Sequence, residues 1–194
     1  KNAYLFGSGH LNDSYNVLTK DNNYLIHRIN HEVFKDVRGL TSNISKVSDH
    51  LAEKLTRKGS HMQILVAIRT LNGEFIYKDD DENYWRVFDF IESSKSYNRV
   101  DNPDMAFEGG KAYGWFINML NDFQVNTLFD TIPRFHDMNF LLENFLKAVK
   151  SNLAGRVGEV QKEIDFINQR VDEMKLVLNL GKEGKIPIRV THND

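Results

Sequence analysis

Three groups of residues in this chain have types and spacings that could do chemistry. Near the start, Gly7-Ser8-Gly9-His10-Leu11-Asn12-Asp13-Ser14 sets two glycines one residue apart, with Asn12 where a G-x-G-x-x-G run would carry its third. Gly7 and Gly9 permit positive φ and let backbone N–H groups approach a ligand with no Cβ in the way. Asn is the residue that next best tolerates the left-handed region. A plain β-turn with two glycines is the alternative. The second group is Arg28, within Tyr24-Leu25-Ile26-His27-Arg28-Ile29. A cation among apolar, β-prone neighbours is costly unless it meets an anion, or unless it reaches solvent from an edge strand. Last, Ile186-Pro187-Ile188-Arg189-Val190 runs into Thr191-His192-Asn193-Asp194. That ending brings together an imidazole and a carboxylate, the side chains most used to move protons.

The elements that would position these groups follow from hydrophobic period. Tyr4-Leu5-Phe6, the glycine turn and Tyr15-Asn16-Val17-Leu18 read as strand, turn, strand. A β-rich segment after the turn, in place of a helix, argues against a Rossmann loop. Lys20-Asp21-Asn22-Asn23 is a turn before the strand that carries Arg28. From Gly39 the period changes: Leu40, Ile44, Val47, Leu51 and Leu55 predict an amphipathic helix ending near Gly59. Asp49 and Glu53 on that helix are both open as partners of Arg28. Ile64 to Thr70 reads as a strand, Asn72-Gly73 as a hairpin turn and Phe75-Ile76-Tyr77 as its return. Asp79-Asp80-Asp81-Glu82-Asn83 reads as a solvated hairpin tip rather than a metal site, because consecutive acids repel and no spaced ligand set is visible. Tyr84 to Ile91 then completes an antiparallel sheet of about five strands with one inserted helix.

The polar crossing from Ile91 to Ser96 sets the boundary between an N-terminal lobe, residues 1–92, and a helical C-terminal lobe, residues 93–194. Asn102-Pro103-Asp104 opens a helix with Ala106, Tyr113, Phe116, Ile117, Leu120 and Phe123 on its apolar face; Gly109, Gly110 and Gly114 inside it would allow close backbone packing. A second helix carries Leu142, Phe145, Leu146, Val149 and Leu153. A third carries Val160, Ile164, Ile167, Val171, Met174 and Leu178, closed by Gly181. His136-Asp137 reads as a structural turn rather than an acid–base pair.

Composition narrows the classes. Hydrophobic and charged contents of 41% and 27% are those of an ordinary globular chain, and 194 residues suffice for one large core or two modest ones. A net charge of -2 gives no reason to expect a nucleic-acid surface. Neither a signal peptide nor a bilayer-length apolar run is visible. Without cysteine, disulfides, zinc-thiolate sites and thiol catalysis are excluded. These features fit a cytoplasmic protein, and the start at Lys1-Asn2, without Met, reads as a piece of something longer.

Taken in order, the glycine turn, basic strand, helix, aromatic strand, polar crossing, helices and final His-Asn-Asp resemble the aminoglycoside phosphotransferase and choline kinase superfamily, which has the protein-kinase-like fold. The resemblance is narrower to the N-acetylhexosamine 1-kinases. It is carried by Gly7-Ser8-Gly9-His10-Leu11-Asn12-Asp13-Ser14-Tyr15, His27-Arg28-Ile29-Asn30-His31-Glu32-Val33-Phe34, Ile132-Pro133-Arg134-Phe135-His136-Asp137 and Ile188-Arg189-Val190-Thr191-His192-Asn193-Asp194. It implies an α+β, kinase-like fold: an N-terminal antiparallel five-stranded sheet with one helix, then a partial helical lobe.

The resemblance also implies transfer of the ATP γ-phosphoryl group to the anomeric hydroxyl of N-acetylglucosamine or N-acetylgalactosamine. In the family's H-x-D-x-x-x-x-N loop, Asp194 would take the hydroxyl proton and His192 would brace the loop. Gly7, Ser8, Gly9, His10 and Asn12 would cover the phosphates and Arg28 would neutralise them. The backbone of Asp89, Phe90 and Ile91 would hydrogen-bond adenine, with Phe88 behind the base. Magnesium would offset charge on the transferred group. Its Asn and Asp ligands would lie downstream of Asp194, so no metal ligand is assigned and the chain alone is expected to have no turnover. The alternatives are the same fold acting on choline, homoserine or an aminoglycoside, or an ATP-binding protein that transfers nothing. A sulfatase has no support, since neither a Cys nor a sulfatase motif is present. The partner implied is a small sugar, with no nucleic acid and no membrane; nothing indicates an oligomeric state.

Overall fold

A computed structural model describes residues 2–7, 9, 11–95 and 97–192. Of the expected site residues, Ser8, His10 and Asp194 therefore lie outside the described part. Among the described residues the chain is α+β. Six strands form one antiparallel sheet: β1 Asn2–Leu5, β2 Asp13–Leu18, β3 Asn23–Ile29, β4 Ala67–Ile68, β5 Tyr77–Lys78 and β6 Tyr84–Asp89. Their order is β1-β2-β3-β6-β4, with β5 also paired to β6.

Register decides which side chains share a face, because directly opposed residues point the same way and successive residues alternate. One row runs Ser14, His27, Arg86 and the next on the same face runs Asn16, Leu25, Phe88. The rows Asp13, Arg28, Trp85 and Tyr15, Ile26, Val87 point to the other face. Helix α1, Val37–Arg57, covers the first face. Its Ile44 packs with Phe6, Phe75 and Phe90 on a core of Leu25, Ala67 and Phe88, and Ser48 Oγ donates to the Leu65 carbonyl at 3.0 Å. The helix starts two residues before Gly39 because the Asp36 carboxylate caps it, accepting from the Gly39 amide at 2.8 Å.

The strand expected from Ile64 to Thr70 reduces to Ala67–Ile68, and its return to Tyr77–Lys78. Both pieces lie along the edge of β6 that β3 does not use, Ala67 opposite Phe88 and Tyr77 opposite Trp85. The Asn72-Gly73 turn consequently does not join two strands paired with each other. It is an excursion closed by the Thr70 amide on the Glu74 carbonyl at 2.7 Å, with Gly73 at φ 81°. The acidic run forms the β5–β6 turn: Asp79 accepts from the amides of Asp81 and Asn83 and from Trp85 Nε1 at 2.7 Å. These hydrogen bonds, Trp85 first, hold its carboxyl below the ordinary range.

Two compact units are distinguished, residues 1–132 with 189–194, and residues 133–188. The first includes helix α2, Pro103–Met119, capped by Asn102 Oδ1 on the Met105 amide at 2.9 Å. Met119 and Leu120, at the end of α2, are fully buried against Leu51 and Leu55 of α1 and against Val190. A Cβ built on Gly109, Gly110 or Gly114 would meet nothing within 4 Å, so these glycines do not serve the close packing expected of them. The run from Ile186 to Val190 joins no strand ladder; Pro187 has no amide to give one.

In the second unit α3, Met138–Ser151, begins at Asp137, which accepts from the amides of Asn139 and Phe140 at 3.0 and 3.2 Å. Arg134 Nε donates to the same carboxylate at 3.0 Å and is the main reason its pKa is lowered. His136-Asp137, read from the sequence as a structural turn, leads into this helix, with Asp137 as its cap. The single long helix expected after it is instead three pieces: α4 Gln161–Asn168, α5 Val171–Met174 and α6 Leu176–Lys182. Among the described residues Ile164 alone on these pieces is buried, so no continuous apolar contact holds them in one helix. No helix among the described residues is long and apolar enough to cross a membrane.

Candidate functional site

The glycine turn is closed at its base, with room for a Cβ at both of its glycines. The Phe6 amide donates to the Ser14 carbonyl at 2.8 Å across its base. Gly7 takes φ 82°, and a Cβ on either Gly7 or Gly9 would meet nothing within 4 Å. Asn12 is not among the residues with positive φ. Its Oδ1 accepts from the Asn30 amide at 3.2 Å, so it tethers the turn to the end of β3 in place of acting as a substitute glycine.

Arg28 does find an anion, but within the protein. Its Nε donates to Asp13 Oδ2 at 2.7 Å, Nη2 contacts the same oxygen, and both side chains are 44% exposed. Neither helix acid serves as its partner: Asp49 accepts from Ser45 Oγ and Glu53 pairs with Arg57. Arg28 also points away from the sheet face that holds Phe88. The structure does not bring these two expected site residues together on one side of the sheet.

Two residues given no site role from the sequence occupy that face instead. His27 and Arg86 are directly opposed, with Arg86 Nε and Nη2 each 3.4 Å from His27 Nδ1. The guanidinium lies 5.4 Å from the centre of the Phe88 ring, and the His27 ring meets Phe88 edge-on at 5.4 Å. Arg86 is 8% exposed, and burial brings its pKa down to about 10. His27 is lowered to about 4, by burial first and then by the Arg86 charge, so at neutral pH its Nδ1 can accept. Arg86 Nη1 and Asn16 Oδ1 are buried without a hydrogen-bond partner among the described residues. The signal was available: Leu25 and Ile29 lie an even number of residues from His27, so a buried Leu25–Ile29 face carries His27 inward and Arg28 outward.

The other expected nucleotide contacts lie at the far end of β6. Phe88 is 3% exposed and part of the core. The Phe90 amide already donates to the Asn23 carbonyl at 3.1 Å, and the Ile91 carbonyl accepts from Ser94 Oγ at 2.6 Å. Phe90 meets Phe6 edge-on at 5.3 Å. Asp89, Phe90 and Glu92 line a polar cleft of about 520 Å³ with the β2–β3 turn, where Asn23 Nδ2 donates to Glu92 at 2.7 Å. A larger, apolar hollow of about 660 Å³ lies on the face away from α1, lined by Tyr15, Val17, Ile26, Phe75, Trp85 and Val87 among others.

At the chain's end, Val190 is 7% exposed in the α1–α2 core. It sets the His192 ring edge-on to Tyr113 and Phe116 of α2, at 5.9 and 6.1 Å. Among the described residues no group of three or more His, Asp and Glu could hold a metal ion.

No family model matches this chain. Among solved structures it is similar to spectinomycin phosphotransferase, APH(9)-Ia, in complex with ADP and spectinomycin, with a TM-score of 0.48 and 13% identity over 96% of this chain. The chain spans about half, 53%, of that protein's length. At such identity no residue role passes from it to this chain.

Proposed function

We propose that this chain is the nucleotide-binding part and the start of the catalytic loop of a small-molecule kinase. It would move the ATP γ-phosphoryl group to the anomeric hydroxyl of N-acetylglucosamine or N-acetylgalactosamine. The observation that carries the reading is the glycine turn. It is closed between β1 and β2, tied by Asn12 to β3, and has room for a Cβ at Gly7 and Gly9. A glycine turn leading into a strand suits a hairpin lid over phosphates, whereas a dinucleotide site leads into a helix. The sequence resemblance supplies the acceptor and the proton carrier.

In this reading the loop amides lie over the phosphates, and Leu25, Phe6 and Phe88 form the apolar side of the base site. The sugar oxygen attacks the γ-phosphorus, the bond to the ADP oxygen breaks, and the hydroxyl proton passes to the Asp194 carboxylate. Asp194 holds that role from its place in the sequence. Arg28 takes no part in it, because it faces away and is engaged by Asp13. Magnesium would offset charge on the transferred group.

The test is to supply the full-length protein with ATP and, separately, N-acetylglucosamine, N-acetylgalactosamine, choline, homoserine and an aminoglycoside. A sugar 1-phosphate with stoichiometric ADP is the expected product. Phosphorylation of another acceptor would keep the reaction class and replace the sugar; nucleotide binding with no transfer to any acceptor would sink the kinase reading.

A further inference from the structure

We infer that Arg86, steadied by His27, is the cation that meets a nucleotide's phosphates in this protein, a role that rests on the nucleotide-site reading above. Position argues for it first. The Phe6–Ser14 hydrogen bond that closes the glycine turn lies in the same register row as His27 and Arg86. Two strand spacings separate Ser14 from Arg86, roughly 10 Å, and an Arg side chain can span most of that distance. All three residues point to the face shared by Phe6, Leu25 and Phe88.

Chemistry argues for it next. A guanidinium buried without a carboxylate is costly, and one donor left unpaired adds to the cost. Among the described residues Arg86 has no acid partner within hydrogen-bonding reach, and its Nη1 is unsatisfied. The Asn16 amide, on the neighbouring row of the same face, is also incompletely satisfied. Arg28, by contrast, is already neutralised. Local rules are broken in this way at sites that wait for a ligand. The two 3.4 Å contacts to His27 lie at the long end of hydrogen bonding, so the side chain can turn toward a phosphate without losing a strong bond. A planar fork with free N–H groups suits phosphate oxygens.

The experiment measures adenosine, AMP, ADP and ATP affinities of the full-length protein by calorimetry, for wild type, Arg86→Met, Arg86→Lys and Arg28→Met. Wild type should gain affinity with each phosphate. Arg86→Met should lose about 10- to 100-fold for ATP, the size of a charged hydrogen bond, and keep its affinity for adenosine. Its ligand-free melting temperature should be unchanged or higher, since an apolar isostere removes a buried, unpaired charge. An ATP-to-adenosine ratio unchanged in Arg86→Met overturns the assignment, as does its loss in Arg28→Met alone. If Arg86→Met does not fold, Arg86→Lys decides: it keeps the charge but loses the fork, so the ratio should fall several-fold, and an unchanged ratio overturns the role. Wild type that binds neither adenosine nor ATP removes the nucleotide reading itself, a result distinct from binding that ignores Arg86.

Discussion

His27 and Arg86 stand directly opposite each other on β3 and β6, and the imidazole Nδ1 lies 3.4 Å from two guanidinium nitrogens. The pair makes stability depend on pH. Folded His27 has a pKa of about 4 against an ordinary 6.5, so between these values the unfolded chain binds more protons. His27 therefore contributes its full stabilisation above pH 6.5, and that contribution is lost as pH falls toward 4, to a total of the order of 3 kcal/mol. Urea unfolding between pH 7 and 4 should show this fall in wild type and a flatter profile in His27→Gln. Equal slopes would show that His27 titrates normally in the native state.

Gly39 is pinned by its own cap. A Cβ there would come 2.1 Å from Asp36 Oδ2 and 3.0 Å from Phe129 Cβ. Gly39→Ala should destabilise by about 1–2 kcal/mol through loss of the cap. On an Asp36→Ala background the same change should cost much less, because helix propensity then favours Ala. Denaturant midpoints of the four proteins give the coupling, and additivity would count against the steric account.

Asn43 and Phe129 exchange two hydrogen bonds, Nδ2 to the carbonyl and the amide to Oδ1, each 2.8 Å. Asn43→Ala should cost about 1–3 kcal/mol. It should also speed hydrogen exchange at the Phe129 amide more than at the strand amides of β3. Uniform acceleration would mean that the clamp has no local effect.

The two glycines of the first turn should respond differently to a methyl group. Gly7→Ala must hold φ 82° with a Cβ and should lose roughly 1–2 kcal/mol. Gly9→Ala meets open space at an ordinary φ and should melt like wild type. If phosphates lie over the turn, both substitutions weaken ATP binding while only the first lowers the melting temperature. Gly9→Ala with undiminished ATP affinity would place the phosphates elsewhere.

Much of the fold was legible because period and punctuation agreed. The apolar steps from Leu40 to Leu55 correspond to α1, and Asn102-Pro103 corresponds to the start of α2. What was not legible depends on partners distant in sequence. The reach of β4 is limited by the six residues of β6, which must also pair with β5 along the same edge. The heptad-like spacing from Val160 to Leu178 could not show that its residues would remain mostly unburied. In the candidate site, the glycine turn and Arg28 stand out in the sequence, Arg28 through the cost of an unpaired cation, which Asp13 meets. The same cost applies with greater force to Arg86, flanked by Trp85, Val87 and Phe88.

Val190 closes the core formed by Leu51, Leu55, Met119 and Leu120, yet it follows the whole of residues 133–188. During synthesis on the ribosome, the first unit cannot be finished until that excursion has been made and the chain has come back. Truncation before residue 189 would uncover the α1–α2 seam, while changes of length within the excursion would alter only the entropy of closing a loop, which grows slowly with its size.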